Sequence, residues 1–136
     1  MSSTEQTLSI IKPDAVERNL VEEIQNIFKK NNLIIKDSKK IQISKEEAAE
    51  FYRVHQSKPF YDQLCSYLSS GPIVVMILQG ENAVILNREL MGATNPQDAK
   101  ENTIRKLYGI SIDKNSVHGS DSNDNAKKEI EFFFKN

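Results

Sequence analysis

The sequence predicts an α+β fold of ferredoxin-like, βαββαβ type, in which helices cover a small, mostly antiparallel sheet. Three observations carry that prediction. Short apolar runs that read as strands alternate with segments whose apolar residues recur every three or four positions. Cap and turn residues stand between them. The length, 136 residues, suits one hydrophobic core, so residues 1–136 are expected to form one domain.

The elements follow in chain order. Residues 8–11 read as a short buried strand. It must stop at Lys12-Pro13, because proline cannot donate to a central ladder. Asn19 followed by Glu22 resembles a capping box, and Leu20, Ile24, Ile27 and Phe28 then recur at helical spacing. Residues 33–43 are rich in isoleucine and predict a second strand. Ser44 and Glu47 form another capping-box pattern, opening a helix that runs to about His55. Pro59 stands where a helix can start, and Phe60, Leu64, Tyr67 and Leu68 share one face. Gly71-Pro72 is a turn. Residues 73–78 are continuously apolar, as in a strand buried on both faces. Ala83, Leu86 and Leu90 suggest a further helix. Residues 92–117 are mostly irregular apart from a helical turn at 103–108, and a long irregular stretch within a compact domain is often functional. A short strand and a last helix from about Asn125, with Ala126, Ile130 and Phe133 inward, complete the chain.

Composition excludes several classes. Eighteen Lys and Arg against 19 Asp and Glu give a net charge of -1, which argues against a general nucleic-acid binder. Cys65 is the only cysteine, so no internal disulfide can form, as suits a reducing compartment. Residues 1–7 lack the basic start and apolar stretch of a signal peptide, and the run 73–78 is too short to span a bilayer. A cytoplasmic protein with no membrane association is expected.

The chain has two histidines. His118 ends the long loop and is followed by Gly119-Ser120-Asp121-Ser122. Gly119 allows close backbone approach. Ser120 and Ser122 carry hydroxyls that can orient an imidazole or cap the next helix. Glu129 sits about two turns into that helix. A carboxylate bonded to one ring nitrogen would fix the tautomer and leave the other nitrogen free to attack. Residue types alone leave open the alternative of a loop histidine beside a helix cap. His55 shares a helix face with Tyr52 and reads as structural, with a phosphate-binding role as its alternative.

The five glycines are scattered, and neither Gly-x-x-x-x-Gly-Lys nor Gly-x-Gly-x-x-Gly occurs. A bound nucleotide would therefore need side chains and a metal to hold its phosphates. Lys12, Arg88, Thr94 and Arg105 stand at element ends or in the loop, where Arg forks and a Lys point charge suit phosphate oxygens. Taken singly, each is more often a solvated surface residue. No cluster of His, Cys and carboxylates has metal-ligand spacing, so no protein metal site is expected, and Mg²⁺ would be held mainly by substrate phosphates and water. Phe60 is either core or a stacking face for a base.

Across nearly its whole length the sequence resembles the nucleoside diphosphate kinases. The matching stretches are Thr7-Leu8-Ser9-Ile10-Ile11-Lys12-Pro13-Asp14-Ala15-Val16, Lys58-Pro59-Phe60, Ser70-Gly71-Pro72-Ile73-Val74, Gly80-Glu81-Asn82-Ala83-Val84, Met91-Gly92-Ala93-Thr94-Asn95-Pro96, and the run from Asn115 to Ser122. The resemblance implies a ping-pong reaction in which a nucleoside triphosphate such as ATP gives its γ-phosphoryl to His118 and a diphosphate such as GDP takes it. It implies that Glu129 and Ser120 support the imidazole. Lys12, Tyr52, Arg88, Thr94 and Arg105 would surround the phosphates, Lys12 and Asn115 would reach the sugar, and Phe60 and Ile112 would sandwich the base. Mg²⁺ is the implied cofactor and a homo-oligomer, tetramer or hexamer, the implied assembly. The alternative is an interaction or nucleic-acid-binding protein that keeps this fold without turnover.

The chain departs from the family pattern in a few places. Val54 stands where an acidic residue is usual. Glu22 and Asn32 replace common glycines, and Glu101-Asn102 replaces small residues in a loop that often makes subunit contacts. With Asn136 as its last residue, the sequence is expected to lack the C-terminal extension that many members use to brace a neighbour.

Overall fold

The computed structural model describes residues 4–110 and 116–134, without the Val54 side chain. Strand β1 (Thr4–Ile11) leads into helices α1 (Pro13–Glu17) and α2 (Val21–Lys30). Strand β2 (Ile34–Ile41), helix α3 (Lys45–Phe51) and a 3₁₀ turn at Arg53–His55 follow. Next come α4 (Tyr61–Leu68), β3 (Ile73–Glu81), α5 (Ala83–Met91), a 3₁₀ turn at Pro96–Asp98, α6 (Ile104–Tyr108), β4 (Val117–Gly119) and α7 (Asn123–Phe134). The sheet order is β2-β3-β1-β4, and every pair is antiparallel. This is the ferredoxin-like α+β arrangement that the element order predicts.

Helices cover both faces because β1 and β3 send apolar side chains both ways. Ile11, Val74, Met76 and Leu78 pack with Ile24 and Phe28 of α2 and Met91 of α5. Leu8, Ile10, Ile73 and Val75 pack with Tyr52, Leu68 and Phe133 on the other face. The alternation along each strand is the period-2 signature of a sheet buried on both sides.

Local signals are obeyed where their partners are close in sequence. Ser44 caps α3, accepting from the Glu47 amide at 3.0 Å while the Glu47 carboxylate accepts from the Ser44 amide at 3.0 Å. Ile11 ends β1 and Pro13 takes the first turn of α1, where its missing N–H costs nothing.

Other expectations need correction. The proposed box at Asn19 and Glu22 does not form. Asn19 lies at φ 61 and turns the chain between α1 and α2, and the residue at the cap position is Leu20. Asparagine tolerates this left-handed conformation better than most residues. The same tolerance serves Asn32 at φ 68, one of the two positions where glycine is expected, and Asn102 at φ 67. The helix expected through His55 stops at Phe51 and tightens into the 3₁₀ turn. Helix α4 begins at Tyr61 with Phe60 at its cap position, two residues past Pro59. Strands β1 and β3 are longer than their apolar cores suggest, because residues 4–7 pair with residues 78–81.

Candidate active site

Strand β4 is three residues long, yet its register determines the site. Ile10 faces His118 across the β1–β4 pair, so His118 lies on the Leu8 and Ile10 face of the sheet. There its ring meets Phe51 edge-on at 5.3 Å between centroids and Tyr52 at 6.3 Å. His118 Nε2 lies 2.9 Å from Glu129 Oε1, and the Ser120 hydroxyl donates to the same oxygen at 2.9 Å. A carboxylate only accepts, so this bond places the ring proton on Nε2 and leaves Nδ1 with its lone pair.

The supporting groups are tied down in turn. Ser120 exchanges backbone and side-chain bonds with Leu8 of β1. Ser122 caps α7, its hydroxyl accepting from the Asn125 amide at 3.1 Å. The two serines thus divide the roles left open by sequence: Ser120 contacts the carboxylate that holds the imidazole, and Ser122 starts the helix that carries it.

In front of His118 lies a cleft of about 570 Å³, within the size range of small-molecule sites. Seven of the residues singled out above line it together: Lys12, Tyr52, Phe60, Arg88, Thr94, Arg105 and His118. Lys12 and Arg105 are buried in it, whereas Arg88 and Thr94 are exposed at its edge and Phe60 is 43 % exposed. His55, Leu64, Met91 and Gly92 complete much of the wall. Ile112 and Asn115 lie outside the described residues. Among the described residues, no group of three or more His, Cys, Asp or Glu could hold a metal ion.

Arg105 is more deeply built in than a loop cation would be. Its guanidinium donates to the Gly92 carbonyl at 3.1 Å and to the Val117 carbonyl at 2.9 Å. Burial and then the like charge of Arg88 pull it down to about 10, so it stays charged at neutral pH. Burial, reinforced by Glu129, pushes the Tyr52 phenol well above its usual range, so the hydroxyl keeps its proton and can donate.

Periodicity reads His55 as structural, because it follows Tyr52 at helical spacing. The 3₁₀ turn instead sets it in the cleft wall, 6.1 Å ring to ring from both Tyr52 and Phe60. Burial, then Lys58 and His118, hold its imidazole below the ordinary histidine value of 6.5. Below that value the unfolded chain binds a proton that the folded chain resists, so stability falls as pH drops through the window. Melting temperature should therefore decline from about pH 7 to about pH 5.5. The decline should be shallower in His55→Gln, and equal slopes in thermal melts would contradict it.

The two glycines that line the cleft are sterically required. Gly92 has φ 85, and a Cβ there would fall 2.5 Å from Thr103 Oγ1. At Gly119 a Cβ would fall 2.3 Å from Asn87 Nδ2 and 2.8 Å from Met91 Cε. Asn87 is fully buried and has little room to retreat. Gly119→Ala should lower stability by about 1–3 kcal/mol through overpacking and reduce activity, since His118 is its neighbour. A chemical-denaturation curve that overlays the wild type would contradict this.

The family model for nucleoside diphosphate kinase matches residues 5–136. The chain belongs to the nucleoside diphosphate kinase family. A nucleoside diphosphate kinase of a Nitratiruptor species is 58% identical over 130 residues, covering 96% of this chain and 95% of that one. One from Campylobacter jejuni is 57% identical over 131 residues, covering 96% of each. Among solved structures, the Aquifex aeolicus nucleoside diphosphate kinase superposes with a TM-score of 0.95 at 39% identity, covering 98% of this chain and 96% of that one. A halophilic nucleoside diphosphate kinase from Halobacterium salinarum, solved in complex with CDP, gives 0.94 at 39% identity, covering 98% and 90%. The family match and the fold thus agree over nearly the full chain, and no helix among the described residues is long and apolar enough to cross a membrane.

Proposed function

We propose that this chain transfers the γ-phosphoryl group of a nucleoside triphosphate to a nucleoside diphosphate through a phosphohistidine at His118. The observation that carries the reading is the 2.9 Å bond from His118 Nε2 to Glu129, in a cleft lined by Lys12, Arg88 and Arg105. In the first half-reaction the Nδ1 lone pair attacks the γ-phosphorus. The N–P bond forms as the bond to the β–γ bridging oxygen breaks, and the diphosphate leaves with that electron pair. The incoming diphosphate oxygen then attacks the same phosphorus, and the N–P electrons return to the ring. Imidazolium charge that develops in each step is stabilised by Glu129, which Ser120 keeps in place.

Phosphoryl transfer asks mainly for positioning and charge neutralisation. Lys12, Arg88 and Arg105 supply the charge, and Tyr52 and Thr94 supply hydroxyls. Phe60 offers a face on which a base can stack, and stacking discriminates poorly between bases. On this reading Ile112 covers the other side of the base and Asn115 reaches the sugar with Lys12. His55 adds a neutral donor or acceptor beside the phosphates. On this reading Mg²⁺ would be held mainly by the nucleotide's phosphates and water and would supply charge neutralisation there. The chain is taken to work in the cytoplasm as a homo-oligomer, tetramer or hexamer. Apolar Ile34, Leu107 and Ile110, each more than half exposed, are consistent with covered surfaces.

The test is incubation with γ-labelled ATP, either as the Mg²⁺ complex or with a chelator. The chain should acquire an acid-labile label that chases onto added GDP or other diphosphates, and the chelator should slow it. A label stable to acid, or one that no free diphosphate removes, would sink the reading.

A further inference from the structure

We propose that Asp14 is a positioning residue for this reaction, its buried carboxylate holding Ser116 and, through it, the strand that carries His118. The proposal rests on the reading of His118 as nucleophile. Asp14 does not line the cleft, and at 6 % exposed it is a carboxylate removed from water. Such a group needs partners, and it draws them from distant parts of the chain. The Tyr67 hydroxyl on α4 donates to Oδ1. Oδ2 accepts from Arg18 at 3.1 Å and from the Ser116 hydroxyl at 3.1 Å. Tyr67 is locked as well, because its oxygen accepts from the Asp14 amide at 2.9 Å.

Ser116 is the point at which this cluster meets the chemistry. Its φ is 74, in the left-handed region that disfavours a serine. Its side chain and its backbone are both held. The hydroxyl donates to Asp14 and accepts from Arg18 at 3.3 Å, and the carbonyl accepts from the Lys12 amide at 2.8 Å. The next carbonyl, of Val117, accepts from one nitrogen of Arg105 at 2.9 Å, and the next residue is His118. Arg18 extends the cluster to the Tyr108 carbonyl at 2.5 Å, at the end of the helix that carries Arg105. Lys12, Arg105 and His118 therefore share one short stretch of backbone whose turn depends on Asp14. Without that anchor residue 116 would relax out of the left-handed region and carry His118 away from the two cations.

The experiment measures single-turnover labelling of His118 by γ-labelled ATP, with nucleotide KM, at a temperature where every variant is folded. Asp14→Asn should lower the labelling rate by about tenfold or more, Tyr67→Phe by less, with KM changing less than about threefold. Glycine adopts the φ of residue 116 without strain, so adding Ser116→Gly to Asp14→Asn should restore part of the rate. If Asp14→Asn does not fold, Tyr67→Phe decides alone. Variants that label at the wild-type rate and differ only in melting temperature overturn the proposal. So does a double variant as slow as Asp14→Asn. A wild-type chain that takes no label overturns the His118 reading, and this proposal with it; a labelled wild type with unaffected variants overturns only this one.

Discussion

Replacing His118 by alanine is expected to abolish the acid-labile label and lower nucleotide exchange by about 10⁴-fold or more, since no other group can replace a missing nucleophile. The fold should survive. The imidazole is about one-fifth exposed, and its removal leaves Glu129 with the Ser120 donor and with solvent. The lost edge contact to Phe51 and the lost hydrogen bond together should cost about 1–2 kcal/mol. Glu129→Gln separates nucleophile from support. The amide oxygen can still accept from Nε2, but the stabilising charge is gone, so labelling should slow by less than in His118→Ala. Circular dichroism and thermal melts beside the labelling assay check both parts. An acid-labile label retained by His118→Ala would move the nucleophile elsewhere.

Arg105→Ala is expected to have a double effect. The family resemblance implies that Arg105 is a phosphate ligand, whose loss should cost turnover more than stability. The structure changes that expectation, because the side chain is 8 % exposed and bridges the Gly92 and Val117 carbonyls. Truncation leaves both carbonyls without their charged donor and opens a cavity, so stability should fall by about 2–4 kcal/mol. Turnover should fall by about 10²–10³, as when a preorganised donor to transition-state charge is removed. Arg105→Lys keeps the charge but cannot span two carbonyls, so it should recover some activity and little stability. Denaturation midpoints and single-turnover rates would test this. An Arg105→Ala protein that melts like wild type would show that the bridge does not brace the loop. Lys12 is a contrasting case, since its backbone amide makes the bond to the Ser116 carbonyl, and that bond survives Lys12→Ala.

The grouping of Glu129 and Ser120 around His118 was legible because its parts are close in sequence. His118, Ser120 and Glu129 fall within 12 residues, and a capped helix after a short strand suffices to suggest that they meet. The capping box at Ser44 and Glu47 and the stop at Pro13 were legible for the same reason, since each depends on neighbours within one turn. The Asn19 capping box failed because the same residue type also suits a left-handed turn, and only the packing of α1 against the sheet selects between them.

His118 itself marks the boundary between the two kinds of information. Local order along the chain is enough for the residue types, the alternation of the strands, and the helix that brings a carboxylate to the histidine. What those residues share is set by the packed fold. The Arg105 bridge, the cleft position of His55 and the Asp14 partners at separations of 53 and 102 residues arise only when the sheet closes. Such contacts follow from the order of strands and the burial of charge against distant backbone, which no local spacing encodes.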